Sequence, residues 1–475
     1  MDTYTIPACV KNYVQKQGYT DLPYGDMESY IENWSAWIRA DTDFYSYEAK
    51  KADGRRYKVH RRSMRPANRM CREWASLLLN DETFVQCEEQ TCNDWLKDYY
   101  DQINFKAHGQ GLIQKAFGVG TGGWALWFDL SRGKMQVRRY GANQLIPLSW
   151  DDDGVSECAF CSQFTFMGKT YDQVQMHVLI GDTYHIKTAV FTRGGKEVFL
   201  DGVMSDFDTL CKTPTFAIVR PAIENVFVEL SPYGQSVFAE AIDQIMGVDL
   251  AYDAFINEVD LSKMRLFLSD ILFDVVDKNG EKNAVPFGED DNVLFRKVAT
   301  EDGITAFAPA LRTDSQIKVF RTALQMLGDA TGFGLTYFDV DDSGGVKTAT
   351  EVSSDNSALM RNIRKHENLL EGAIAQISHA VLSCARSHLG VSLPEEGEIT
   401  VQFDDSIITD TAAEKAQDQS EVDVTMNRWE YRVKWYGEDE ETAKANVPGV
   451  QQQTEPPSFI EEEPEGDELL EGDGE

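Results

Sequence analysis

A chain of 475 residues, 42% hydrophobic and with 79 acidic against 45 basic side chains, has the length for about two to four domains and a net charge of −34. That charge repels polyanions at long range and sets ordinary phosphate-neutralising nucleic-acid binding at a disadvantage. No run of eighteen apolar residues offers a membrane-spanning helix, and the opening "MDTYTIPACVKNYVQKQGY" is not expected to act as a secretory signal.

In chain order, two short helices are predicted at Val10–Gln17 and Met27–Ala40. A basic stretch follows, "KKADGRRYKVHRRSMRPANRMCR", Lys50 to Arg72. It is the one segment able to grip phosphate, with Tyr57 among its charges. In so acidic a chain, pairing with acidic patches of this or a neighbouring subunit is the favoured role. Helical periodicity resumes in "NRMCREWASLLLN" and "DWLKDYYDQINFKAHGQGLIQKAFG". From Trp124 to about Leu200 alternation takes over in six runs separated by "SRGK", "DDDG" and "TRGGK", which predicts an antiparallel β region.

A long helix is predicted from Ser231 to about Met264, then a β-rich segment with polar turns, then helix again in "DSQIKVFRTALQMLGDATG". The loop "LTYFDVDDSGGVK" feeds the longest predicted helix, Thr350 to His388. Its stripe of Leu359, Ile363, Leu370, Ile374, Ile377 and Val381 marks a buried face, with Thr348 and Glu351 as a capping box. The strand "EITVQF" leads to a last helical region ending near Asn446. Residues 447–475, acidic and poor in core formers, are expected to be disordered.

Chemical motifs are few. "GVGTGGWALWFD" (Gly118–Asp129) matches G-x-G-x-x-G, but a nucleotide fingerprint needs its glycines after a strand and before a helix. Here the order is helix then strand, so the glycines read as a helix stop and turn. "CAFC" (Cys158–Cys161) lies in a strand with no second pair to complete a zinc site. The eight scattered cysteines read as free thiols of a reducing compartment. Asp339, Asp341, Ser343 and Gly344 occupy four places of a calcium loop, yet its twelfth place is Thr350. His366 reads as a core histidine. No catalytic residue, cofactor or metal site is expected.

On a helical wheel Asp249, Asp253 and Asp260 fall within about 40° of one another, with Glu240 and Glu258 opposite and apolar residues over much of the rest. That pattern suits a helix flanked on several sides and wetted along one line, either in a ring around an aqueous channel or as a core helix with a solvated stripe.

Several segments together resemble the portal proteins of long-tailed double-stranded DNA bacteriophages. They are "RPANRMCREWASLLLNDE", the glycine-then-strand passage, "ENVFVELSPYG", "SPYGQSVFAEAIDQIMGVDLAYDAFINEVDLSKMRLFLSD" and "GGVKTATEVSSDNSALMRNIRKHE". They come in the family's order over roughly residues 20–446. The resemblance implies an α+β fold of portal type: a mixed wing (1–230), a first stem helix (231–262), a small β-containing clip (263–312) and a second stem helix (313–333). A tunnel loop (334–349), a long wing helix (350–399) and a short helical crown (400–446) complete it. It further implies a ring, usually of twelve copies, at one capsid vertex of the virion, assembled in the host cytoplasm. Double-stranded DNA would be packaged and ejected through the channel. The implied partners are a terminase motor, a head-tail adaptor and the major capsid and scaffold proteins, with no membrane and no enzymatic activity. Carried over residue by residue, Tyr337, Phe338, Asp339, Asp341, Asp342 and Lys347 would form the tunnel loop. Asp249, Asp253 and Asp260 would form an acidic channel stripe, and Lys263, Arg265, Asp290 and Asp291 would serve partner docking. An acidic wall would let DNA slide by avoiding phosphate contacts.

Overall fold

The structure is a computed structural model. It describes residues 4–50, 54–129, 134–200, 202–262, 310–338, 357–403, 415, 418–423 and 425–447, together with the backbone of five strands between 265 and 307. The architecture is α+β, in two units that divide between Ile408 and Thr409.

The N-terminal helices form where apolar residues recur at helical spacing. α1 (Ala8–Lys16) buries Val10 and Val14. α2 (Tyr24–Arg39) buries Met27, Ile31, Trp34 and Trp37, and ends on a left-handed Ala40. A hairpin, β1 (Ser46–Lys50) with β2 (Arg56–His60), leads to α3 (Pro66–Leu78). Proline at the first turn of α3 loses no hydrogen bond there. β3 (Phe84–Cys87) precedes α4 (Gln90–Gln102), which Glu89 caps by accepting from the Cys92 N–H, and α5 (Phe105–Val119) follows.

α5 stops at Gly120, whose φ of 85° is the left-handed conformation that ends helices. The chain then enters β4 (Gly122–Asp129). Helix, glycine turn and strand follow in the order the sequence predicts. β4 pairs with β5 (Lys134–Gly141) and later with β12 (Phe216–Val219). β6 (Leu145–Asp151), β7 (Gly154–Phe166), β8 (Lys169–Ile180), β9 (Thr183–Thr192) and β10 (Glu197–Val198) form an antiparallel meander, with β11 (Asp206–Asp208) also on β9.

The helix expected from Ser231 begins only at Ile242, as α6 (Ile242–Leu261). Residues 231–241 instead pass through the corner between α5 and β4. The Gly234 N–H donates to Thr121 Oγ1 (2.9 Å), the Val237 N–H to the Phe117 carbonyl (2.9 Å) and the Tyr233 hydroxyl to the Leu145 carbonyl (2.8 Å). These tertiary bonds take donors that a helix would need, and they bury Tyr233, Val237 and Phe238 in the body.

Beyond α6, β13 (Arg265–Ser269) lies between β16 (Leu294–Lys297), parallel, and β17 (Ile304–Phe307), antiparallel. β14 (Asp274–Val276) and β15 (Lys282–Ala284) form a hairpin between them in sequence. α7 (Thr313–Ala330) then packs against α6. α8 (Ser357–His388) runs through the core against β4 and β12, and its six-residue stripe is buried as expected. The expected start at Thr350 and the Thr348–Glu351 capping box lie outside the described residues.

β18 (Ile399–Gln402) pairs with β3, more than 300 positions earlier, within the first unit. In the second unit, α9 (Arg428–Tyr436) starts with a capping box of Asn427 and Glu430, and α10 (Glu440–Ala445) is capped by Asp439. Asp418 takes hydrogen bonds from Trp435 Nε1 (2.8 Å) and Lys434 Nζ (2.7 Å). Residues 448–475 lie outside the described residues.

Candidate functional site

At Asp249 and Asp253 the acidic line of α6 is turned against the body of the protein. Asp249 is fully buried: Oδ2 accepts from the Tyr45 hydroxyl (2.6 Å) and from Ser63 Oγ (2.6 Å), and Oδ1 accepts from the Met64 N–H (2.8 Å). Burial pushes its carboxyl above the usual range, and those hydrogen bonds pull in the opposite direction. Asp253, one turn on, accepts from the Arg62 N–H (3.2 Å) and from Asn257 Nδ2 (3.2 Å), with the Arg62 guanidinium 3.5 Å away. This corrects the expectation of a wetted stripe. The segment joining β2 to α3 lies across Asp249 and Asp253 and supplies Arg62, Ser63 and Met64 as partners, with Tyr45 added from just before β1. Only the backbone of Asp260 is described.

The same contacts account for much of the basic stretch. Arg62 pairs with Asp253, Arg56 with Glu48 (3.3 Å) and Arg69 with Glu73 (3.8 Å). Arg61 lies 4.1 Å over the Phe44 ring and donates to the Phe44 carbonyl (2.6 Å). Pairing with acids of its own chain, the favoured reading of Lys50–Arg72, is therefore found at these positions.

At the far end of α6, Glu258 accepts from the Arg312 N–H (2.9 Å), Arg312 Nε (3.0 Å) and Nη2 (2.9 Å), and Gln316 Nε2 (2.8 Å). The Arg312 hydrogen bonds hold the Glu258 carboxyl down to about 2. A carboxylate here also meets the free N–H groups that open α7. The last turn of α6 is thus tied to the first turn of α7, so the helices run antiparallel with residues 263–312 inserted at their tip. Both carry exposed apolar side chains on two flanks. Leu250 (52% exposed) and Val259 (42%) lie roughly 180° apart around α6. Ile317 (57%) lies opposite Val319 (57%) and Met326 (58%) around α7.

After α7, Phe333 packs on Trp74 (ring centroids 4.5 Å apart), Tyr337 (4.9 Å) and Phe338 (5.2 Å). The Trp74 indole N–H donates to the Thr331 carbonyl (3.2 Å), and Asn362 Nδ2 to the Gly332 carbonyl (2.9 Å). The Tyr337 hydroxyl donates to Glu73 Oε2 (3.4 Å), and burial followed by the Glu73 charge pushes it up to about 12. Tyr337 and Phe338 are therefore anchored against Phe333 and Glu73 of the body. Asp339, Asp341, Asp342 and Lys347, the calcium-like positions, Lys263, Asp290 and Asp291 lie outside the described residues. Arg265 opens β13.

The remaining motifs are structural. Cys158 and Cys161 are buried in β7, and burial pushes both thiols up. Among the described residues no group of three or more histidine, cysteine or acidic side chains is arranged to hold a metal. His366 sits between Trp74 and Phe117, and its Nδ1 accepts from the Ala222 N–H (3.0 Å). Tyr45, Ser63, Trp74 and Phe333 went unnoticed in the sequence, because their partners lie between 186 and 259 positions away and no local pattern marks them.

The helix pair tied at Glu258 and Arg312, with exposed apolar side chains on two flanks, is the feature of this α+β chain that offers surfaces for packing. No family model matches the chain, and no curated protein does. Among solved structures it is similar to a chain in the virion of the native gene transfer agent particle, at TM-score 0.42. It is similar also to chains in the neck of the empty particle computed with C6 symmetry (0.42) and the neck of the native particle computed with C12 symmetry (0.41). Each is 12% identical and is matched over 77% of this chain and 88% of its own length.

Proposed function

We propose that this protein is a phage-type portal: a structural, non-enzymatic ring at one capsid vertex through which double-stranded DNA passes. The observation that carries the reading is the pair α6–α7 with apolar side chains exposed on opposite flanks. A helix pair at the periphery of a lone molecule needs one buried face. One that meets a neighbour on each side, through two different surfaces, needs apolar contacts on both, which is the demand of a closed ring built from heterologous interfaces. One of the segments resembling portal proteins, residues 231–270, spans α6.

In this reading α6 and α7 are the stem. The strands β13–β17, Arg265 among them, form the clip that docks a terminase and then a head-tail adaptor. The loop beyond Phe338 carries Asp339, Asp341, Asp342 and Lys347 toward the channel. Asp249 and Asp253 brace the stem against the body, and Asp260 is left as the member of the stripe available to the channel wall.

Negative-stain microscopy of the purified protein, viewed down the particle axis, tests this. Rings of about twelve copies with an open centre are expected, and Ile317→Glu and Met326→Glu should each break them into smaller species by charging one flank. Monomers at high concentration, or closed particles without a pore, would overturn the reading.

A further inference from the structure

Two of the chain's eight cysteines meet sulfur to sulfur. Cys211 Sγ and Cys384 Sγ lie 3.0 Å apart and share a hydrogen bond, both fully buried within the first unit. Cys384 sits in the last turns of α8 among the buried Val381, Leu382 and Ala385. Cys211 follows β11. Its carbonyl accepts from the Tyr184 N–H of β9 (2.8 Å), and its own N–H donates to Thr209 Oγ1 (3.3 Å). The Thr209 hydroxyl donates in turn to the Tyr184 carbonyl (2.5 Å), and the Thr209 carbonyl accepts from His388 Nε2 (3.0 Å). The segment from Thr209 to Cys211 is therefore fixed to the sheet on one side and to the end of α8 on the other. The two sulfurs are held together before any bond joins them.

The cover over Cys211 is thin: Leu210 and Lys212, on either side of it, are exposed. A solute as small as hydrogen peroxide needs only a local opening to reach the sulfur. The hydrogen bond with Cys384 is the largest influence on the Cys211 thiol. With Ser383 and the Arg386 charge it pulls that thiol below its ordinary value, against the effect of burial. The same bond, followed by burial, pushes Cys384 up. Burial pushes up the thiols of Cys9, Cys71, Cys87, Cys92, Cys158 and Cys161. One thiol inclined to ionise, touching a second that keeps its proton, is the arrangement of an attacking sulfur beside a resolving one.

We propose that Cys211 and Cys384 form a redox-modification site, which a hydroperoxide closes into a disulfide. The Cys211 thiolate attacks one peroxide oxygen, an S–O bond forms as the O–O bond breaks, and the departing hydroxide takes up the Cys211 proton as water. The Cys384 sulfur then attacks the sulfenic sulfur of Cys211. The S–S bond forms as the S–O bond breaks, and the second hydroxide leaves with the Cys384 proton as water. Two thiols have lost two electrons and two protons, and hydrogen peroxide has become two waters. The product staples β9 and its neighbours to α8 across 173 positions of chain. The inference stands on this sulfur pair and does not depend on the portal reading.

Treatment of the full native chain with hydrogen peroxide, stopped by catalase, should lower the thiols titrated in denaturant from eight to six. Non-reducing peptide mapping should find the peptides of Cys211 and Cys384 joined, and dithiothreitol should part them. The bridged protein should melt about 5 °C higher, because the bridge restricts the unfolded chain. Cys384→Ala should leave Cys211 as a sulfenic acid that dimedone traps, whereas Cys211→Ala should leave Cys384 without the label. The thiol count and the map need no variant, so a variant that fails to fold does not decide the matter. Peroxide that leaves these two peptides unjoined, or that joins other cysteines equally in the native chain, would overturn the proposal. A bridge that forms without raising the melting temperature would overturn its role as a staple.

Discussion

Asp249 holds three donors, Ser63 and Met64 from the segment that crosses α6 and Tyr45 from before β1, and alanine there would strand all of them in a dry site. Each buried donor left unmade costs on the order of 1 kcal/mol, so Asp249→Ala should lower stability by about 3 kcal/mol. Asp249→Asn should cost only about 1 kcal/mol. Its oxygen still serves the Met64 N–H, and its amide can donate to the two hydroxyls, which are free to turn. Urea denaturation of both variants checks this, and an alanine variant within 0.5 kcal/mol of the parent would contradict it. His366 offers a pH test. Burial holds it down to about 4, so between that value and its ordinary 6.5 the unfolded chain takes up a proton that the native chain refuses. Stability is present above 6.5 and falls with pH across that window, by about 3 kcal/mol from this residue. His177, held down to about 3 by burial, acts in the same direction. Glu258 adds its loss later, between 4.5 and about 2. His366→Gln, which keeps an acceptor for Ala222, should flatten the fall between pH 6.5 and 4 in thermal melts.

At the scale of elements, the corner between α5 and β4 is the tightest joint in the first unit. A Cβ on Gly120 would meet the Gly234 carbonyl oxygen at 2.2 Å, and the residue also sits at φ 85°. Gly181, at φ 66°, has nothing within 4 Å. Gly181→Ala should therefore cost only the left-handed penalty of about 1–2 kcal/mol, while Gly120→Ala adds a backbone clash that side-chain rotation cannot relieve. Guanidinium unfolding of the two variants should separate them by at least about 2 kcal/mol, and equal costs would mean that the corner relaxes freely. The glycine stop itself was legible, because a helical period ended on glycine and an alternating run began. The late start of α6 was not. The run Ser231–Ala241 has helical composition, and two of its backbone N–H groups are claimed by Phe117 and Thr121 and its Tyr233 hydroxyl by Leu145, which no local window contains. The same holds for β18, whose partner β3 lies at the other end of the chain.

Over the whole molecule, opposite charges are sorted by place. In the basic stretch Arg62 pairs with Asp253 of α6, Arg56 with Glu48 of β1, and Arg61 lies over Phe44, while Arg39, Lys115 and Arg139 line a cleft beside α5. The net charge of −34 remains a field that repels polyanions at long range. The ring imaging addresses this level, and it depends on the flanks of α6 and α7.

Sequence alone settled what is written in local periods. It placed the helices of the N-terminal third, the β meander, the buried stripe of α8 and the rejection of a nucleotide loop, because each rests on neighbours within a turn or a pleat. It also located the acidic line of α6 and the basic stretch as the two unusual charge features. Only the tertiary structure decided that they meet. A helical wheel orders side chains around one axis and carries no information about what lies against it. The charges that read as a wetted stripe are, at Asp249 and Asp253, held against Tyr45, Arg62, Ser63 and Met64, from a segment nearly two hundred residues away.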